Sequence, residues 1–165
     1  MLGKQPARNI NEQFYIDARL DFAIKHPLDW KLKQIPVSSP DFRADTVRWQ
    51  VNGLKQGNDA VGEMLIRSWP TESNTPLEDL LNSYLSGEAK LADIHKENFD
   101  HPSGPALKLT GHDDQQGRLL LALKGQKRDF IISIGYPSNR FEELLPVFQD
   151  IIDSFVEVVR PDPPA

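Results

Sequence analysis

Cysteine is absent from the whole chain of 165 residues. That excludes disulfides, zinc-thiolate centres and thiol nucleophiles, yet leaves the compartment open, because oxidising and reducing surroundings both tolerate such a sequence. No apolar run approaches the ~20 residues that a membrane-spanning helix needs. Positive charge is in deficit: the formal net charge is −5 and Lys and Arg are dispersed, which is no footprint for a phosphate backbone and argues against nucleic acid as a partner. No basic amphipathic segment marks a membrane surface. The start, MLGKQPARNINEQ, lacks an apolar h-region, so the chain does not read as an intact secretory precursor. Nor is there a Gly-x-Ser-x-Gly elbow, an HExxH helix, an EF-hand loop or a phosphate-cradling glycine loop. A non-enzyme without a cofactor is the expectation; a hydrolase whose carboxylates or His meet only in space is the alternative.

What the chain does contain is patterning. With 39% hydrophobic and 26% charged residues, it reads as one globular domain able to bury a core without metals or cross-links. The expected boundaries are a flexible lead at 1–13, a single domain at 14–158 and a disordered tail at 159–165.

The organising stretch is Arg128 to Phe155. Phe130, Ile132, Ile134 and Tyr136 alternate with Ile131, Ser133 and Gly135, the signature of a buried strand. Phe141, Leu144, Leu145, Phe148, Ile151, Ile152 and Phe155 then step by three and four, which is a helix with one apolar stripe. The small residues Ser133 and Gly135 predict that this helix lies against their face. Asn139 with Glu142 offers a capping box, with Ser138 as a competing cap. Pro146 predicts a kink, or a main helix that starts at Pro146.

Upstream, Phe14 to Lys25 reads as one half-buried strand, Leu32 and Ile35 as part of a short return strand, and Pro36 to Asp45 as a loop. Thr46 to Val51 and Ala60 to Trp69 read as strands around a turn at Gly53 to Asp59. Thr75, Pro76 and Glu78 open a capped helix with the stripe Leu77, Leu80, Leu81, Tyr84 and Leu85, and Gly87 is its expected stop. Ile94 to Phe99, Ala106 to Gly111 and Arg118 to Lys124 follow as strands. Their short connections require antiparallel pairing.

This order carries a resemblance. An early strand ending in His26-Pro27-Leu28-Asp29-Trp30, a capped mid-chain helix, a run of antiparallel strands and a final helix ending in Asp153-Ser154-Phe155 resembles the PsbP/Mog-type fold family over Phe14 to Phe155. That group includes the extrinsic PsbP proteins of photosystem II, the Mog proteins that bind Ran, the DcrB-like lipoproteins and chaperones of type VI secretion effectors. The resemblance implies an α+β domain, an antiparallel sheet with helices packed on both faces in an α/β/α arrangement, and no shared enzymatic activity. Its members act as docking, assembly or chaperone modules. The implied function is protein binding or assembly at a bacterial cell envelope, as a monomer; a homodimeric cytoplasmic secretion chaperone of the same fold is the alternative.

Candidate site residues are few. Trp49, Arg67 and Trp69 form a candidate ligand or partner groove, set against the commoner fate of tryptophans in sheet proteins, which is packing. His101, His112 and Asp114 are the candidates for a metal, an idea prompted by the PsbP branch, but no pair of histidines has the spacing that preorganises a site, so none is expected. The acidic residues Glu72, Glu78, Asp79 and Glu88 read as solvated surface.

Overall fold

The computed structural model describes residues 12–40, 42–52, 60–71, 75–85 and 91–159. The expected stops and turns at Gly53 to Asp59 and Gly87, the lead before residue 12 and the tail from residue 160 lie outside them.

A seven-stranded sheet runs in the order β3-β4-β5-β9-β8-β7-β6. Its members are β3 (Lys31–Leu32), β4 (Thr46–Asn52), β5 (Ala60–Pro70), β6 (Ala92–His101), β7 (Gly104–His112), β8 (Gln116–Lys124) and β9 (Arg128–Pro137). Every pairing is antiparallel, as the short turns require. Among the described residues two helices complete the sheet's packing: α1 (Leu77–Leu85) and α2 (Ser138–Ser154).

The N-terminal segment differs from the single strand predicted for Phe14 to Lys25. It is a hairpin of β1 (Glu12–Asp17) and β2 (Phe22–Pro27), and a short β10 (Val156–Glu157) pairs with the other edge of β2. The turn is made by Asp17, whose carboxylate accepts the backbone N–H groups of Arg19 and Leu20 at 3.0 and 2.8 Å. Asp21 then adopts a left-handed φ of 60°, which a short polar residue tolerates. Glu12 and Gln13, expected in the lead, pair with Pro27 and His26.

Strand parity assigns the two helices. Phe130, Ile132, Ile134 and Tyr136 share a buried cluster with Leu119, Leu121, Leu123 and the stripe of α2, from Phe141 to Phe155. The small three-stranded sheet lies on the same side, contributing Phe22 and Ile24. Ile131 lies instead with Leu120, Ala122, Leu107, Leu109 and the α1 residues Leu80 and Leu81. The helices therefore take opposite parities of β8 and β9, and α2 does not lie on the Ser133 and Gly135 side, as their small size predicted. Bulk decided the matter: the stripe of α2 buries more apolar surface against three large β9 residues and Tyr136 than against a serine and a glycine. Close approach is provided elsewhere. A Cβ on Gly117 would stand 2.3 Å from Phe141 Cγ, so glycine there lets the α2 ring meet the β8 backbone.

The helix does not restart at Pro146. The helix runs unbroken from Ser138 to Ser154 with Pro146 inside it, and Pro146 is exposed, so the carbonyl it leaves unbonded can be solvated. The capping box is not used: Pro137 holds the cap position without a side-chain hydrogen bond.

Candidate functional site

The face that α2 leaves alone is only half covered by α1. Register fixes what the remainder displays, since residues directly opposite in an antiparallel pair point to the same side. Three rows cross β4, β5, β9 and β8 in turn: Thr46, Arg67, Ile131, Ala122; Arg48, Leu65, Ser133, Leu120; and Gln50, Glu63, Gly135, Arg118. Helix α1 takes the apolar corner at Ile131, Leu120 and Ala122. The other corner stays open as a cavity of about 220 Å³ whose described lining includes Arg43, Arg48, Arg67, Arg118, Glu63, Tyr84, Ser133 and Gly135. Ser133 and Gly135 thus make room for guanidinium groups, not for a helix.

The arginines are held in place by ion pairs. Arg48 Nη1 lies 3.2 Å from Glu63 Oε1, Lys33 Nζ reaches Glu63 Oε2 at 3.1 Å, Arg67 Nη2 lies 3.2 Å from Asp45 Oδ2 and Arg118 Nη2 lies 3.5 Å from Asp113 Oδ2. Arg43 donates to the backbone carbonyls of Pro40 and Phe42. Burial pushes the Asp45 carboxyl up, but hydrogen bonds from Thr46 and Arg67 and the Arg67 charge outweigh it, so its pKa falls below the usual value. Arg67 also lies over the Trp69 ring, 5.7 Å from its centroid, and its Nε is buried without an acceptor among the described residues. Arg43 and Arg48 continue into a neighbouring cavity of about 280 Å³ that also involves Tyr15, Leu32, Ile35 and Phe42.

Of the groove predicted from Trp49, Arg67 and Trp69, the structure brings two together. Arg67 and Trp69 line a cavity of about 360 Å³ beside α1, with Asp45, Asp79 and Tyr84. Trp49 does not join them: it pairs with Met64, on the opposite parity from Arg67, and is fully buried among the α2-side residues, edge-on to Tyr15. Arg48 and Arg118, by contrast, carried no signal on their own. Each is an ordinary alternating polar residue on a strand, and only the register between distant strands shows that they converge.

The metal candidates are separated. His101 and His112 sit at opposite ends of the β6–β7 hairpin, opposite Gly104 and Ala92. His101 is buried with Nε2 2.8 Å from the Ile152 carbonyl, while Nδ1 accepts the Ser103 N–H at 3.0 Å, so neither ring nitrogen offers a lone pair. His112 Nε2 lies 2.7 Å from Asp93 Oδ2, and that hydrogen bond raises its pKa. Asp114 is exposed beside Asp113, whose carboxylate accepts Gln115 and Gln116 N–H groups. Among the described residues no three His, Cys, Asp or Glu side chains form a metal-holding group.

No family profile and no curated protein matches the sequence. Solved structures do. The solution structure of the cyanobacterial PsbP (CyanoP) from Synechocystis sp. PCC 6803 is similar over 94% of this chain and 98% of that one, with a TM-score of 0.63 at 16% identity. Lower scores are found for LpqN, involved in cell envelope biogenesis of Mycobacterium tuberculosis (TM-score 0.48, 11% identity, 90% of this chain and 91% of that one), and for PA94 of Pseudomonas aeruginosa, a protein of unknown function and putative regulator (0.46, 10%, 93% and 99%). At such identities the likeness is one of fold: the chain has the PsbP/Mog-type α+β fold.

Proposed function

We propose that this protein is a non-catalytic binding or assembly domain of a bacterial cell envelope, and that it docks a protein partner at the arginine-lined groove beside α1. One observation carries the reading. The described lining of the open sheet corner offers four guanidinium groups and a single carboxylate, Glu63, which can hold an anionic group but supplies no pair of carboxylates; the Thr46 hydroxyl donates to Asp45 at 2.8 Å, and that carboxylate is itself engaged by Arg67. Of the buried ionisable groups elsewhere, Asp17 builds the β1–β2 turn, His101 joins β6 to α2 and Glu157 accepts three N–H groups from the β8–β9 turn, while Asp129 accepts the Thr71 hydroxyl at 2.6 Å and lies 3.4 Å from Lys124 Nζ. The family resemblance, whose members dock and assemble, supports the same reading.

A photo-crosslinking amino acid in place of Tyr84 tests it in cells of the native host. The expected result is a discrete protein adduct, identified by mass spectrometry, that is absent when the crosslinker replaces exposed Asp150 on α2, across the sheet, and is lost in an Arg48→Gln background. No adduct at position 84, or the same adduct at both positions, would overturn the assignment of the groove.

A further inference from the structure

Resting on that reading, the geometry points to the chemistry the groove recognises: we propose that Arg43, Arg48, Arg67 and Arg118 form a subsite for one carboxylate, presented by an acidic residue of the partner. Four planar forks arriving from β4, β5, β8 and the loop before β4 surround a floor reduced to Ser133 and Gly135. A guanidinium is the side chain best matched to a two-oxygen acceptor, because its N–H groups form parallel hydrogen bonds to both oxygens. Arg67 is preorganised for this: Asp45 holds one of its terminal nitrogens and the Trp69 face supports the plane of the guanidinium.

Size and the neighbouring surface choose the ligand class. The open corner of about 220 Å³ falls below the ~300–1,000 Å³ typical of sites for whole cofactors or drug-sized molecules; it suits one functional group. Every charge facing it counts. Arg43, Arg48, Arg67, Arg118 and Lys33 meet Glu63, Asp45 and Asp113, so the described residues leave a surplus of two positive charges that draws an anion. A phosphate group carries roughly −1.5 to −2 charges at pH 7 and matches that surplus on charge alone, so the choice of a carboxylate rests on the surface beside the cations. The neighbouring cavity with Tyr15, Leu32, Ile35 and Phe42 adds apolar surface next to the cations, suited to an acidic residue followed by an apolar one.

The test reads the arginines directly. Side-chain Nε–H signals of the ¹⁵N-labelled full chain are followed by NMR during titration with a blocked Glu-Leu-containing tetrapeptide and, separately, with inorganic phosphate. The expected result is a saturable shift of the Arg67 Nε–H with the peptide, tighter than with phosphate, weakened at least about tenfold by Arg48→Gln and by moderate salt. Ser133→Glu, which places a carboxylate inside the corner, should abolish the peptide response in a protein whose backbone spectrum stays folded; it keeps the test decisive if Arg48→Gln does not fold. No saturable shift, equal binding by both variants, or tighter binding of phosphate would overturn the carboxylate subsite. If the position-84 adduct nevertheless forms, docking at the groove stands and only its carboxylate chemistry falls; if both fail, both fall.

Discussion

Glu157 ties the end of the chain to the middle of the sheet. Its carboxylate accepts the backbone N–H groups of Gln126, Lys127 and Arg128 at 2.6, 3.0 and 3.0 Å, and it is buried. Gly125 is small because it must be: a Cβ there would lie 2.4 Å from Glu157 Oε1. Glu157→Gln keeps the size but sets an amide against donors, and should cost about 2–3 kcal/mol, measured as a lower urea midpoint with an unchanged slope. Two histidines should give opposite pH signatures. His112, whose pKa is raised through Asp93, contributes stability that is full below its usual 6.5 and fades as pH rises through the raised value. His26, pushed down mainly by burial, works the other way: below 6.5 the unfolded chain takes up the proton first, so stability is lost as pH drops through 6.5. NMR titration of the imidazole protons should place the two midpoints on either side of 6.5, with Asp93→Asn drawing His112 back and leaving His26 unmoved.

At the scale of elements, alternation and turn length were the informative signals. The β9 alternation, the α1 and α2 stripes and the antiparallel meander could be read directly because each depends on neighbours in sequence. Two features were hidden because they depend on contacts between segments far apart. Asp17 and Asp21 break one predicted strand into a hairpin through side-chain and left-handed backbone geometry, and the β9 pattern shows two faces without saying which helix takes which. The arginine corner was hidden for the same reason: Arg48, Arg67 and Arg118 meet only through the β4–β5–β9–β8 register. Pro146 was expected to kink α2 or to start its main part, and it sits on the exposed side of one continuous helix. Restoring the N–H with Pro146→Ala should therefore stabilise the protein by roughly 2 kcal/mol, the gain in helix being offset by a more flexible unfolded chain; a rise in the urea midpoint measures it. The β6 edge is guarded by charge and by a register shift between Ala92 and His95, with Asp93 at a left-handed φ of 53°, devices that discourage strand-to-strand association.

For the whole molecule, the open question is how many copies act together. The polar groove suits a monomer that docks a different protein, whereas a secretion chaperone of this fold should be a homodimer with an apolar groove. Phe14 and Ile16 are exposed, and Ile16 pairs with Ala23, which also pairs with exposed Val156, so an apolar strip crosses the small sheet. Light scattering at micromolar concentration should give the monomer mass. A dimer that Ile16→Lys converts to monomer would move the assignment to the chaperone.

β1 and β10 flank β2 and both run antiparallel to it, so they are parallel to each other. A pull applied at the start of β1 and the end of β10 is thus borne in shear, with six register pairs on one side of β2 and two on the other. The shorter seam should part first, carrying Glu157 away from the β8–β9 turn before the large sheet is loaded, so tension across the small sheet would be registered inside the fold as the loss of one carboxylate.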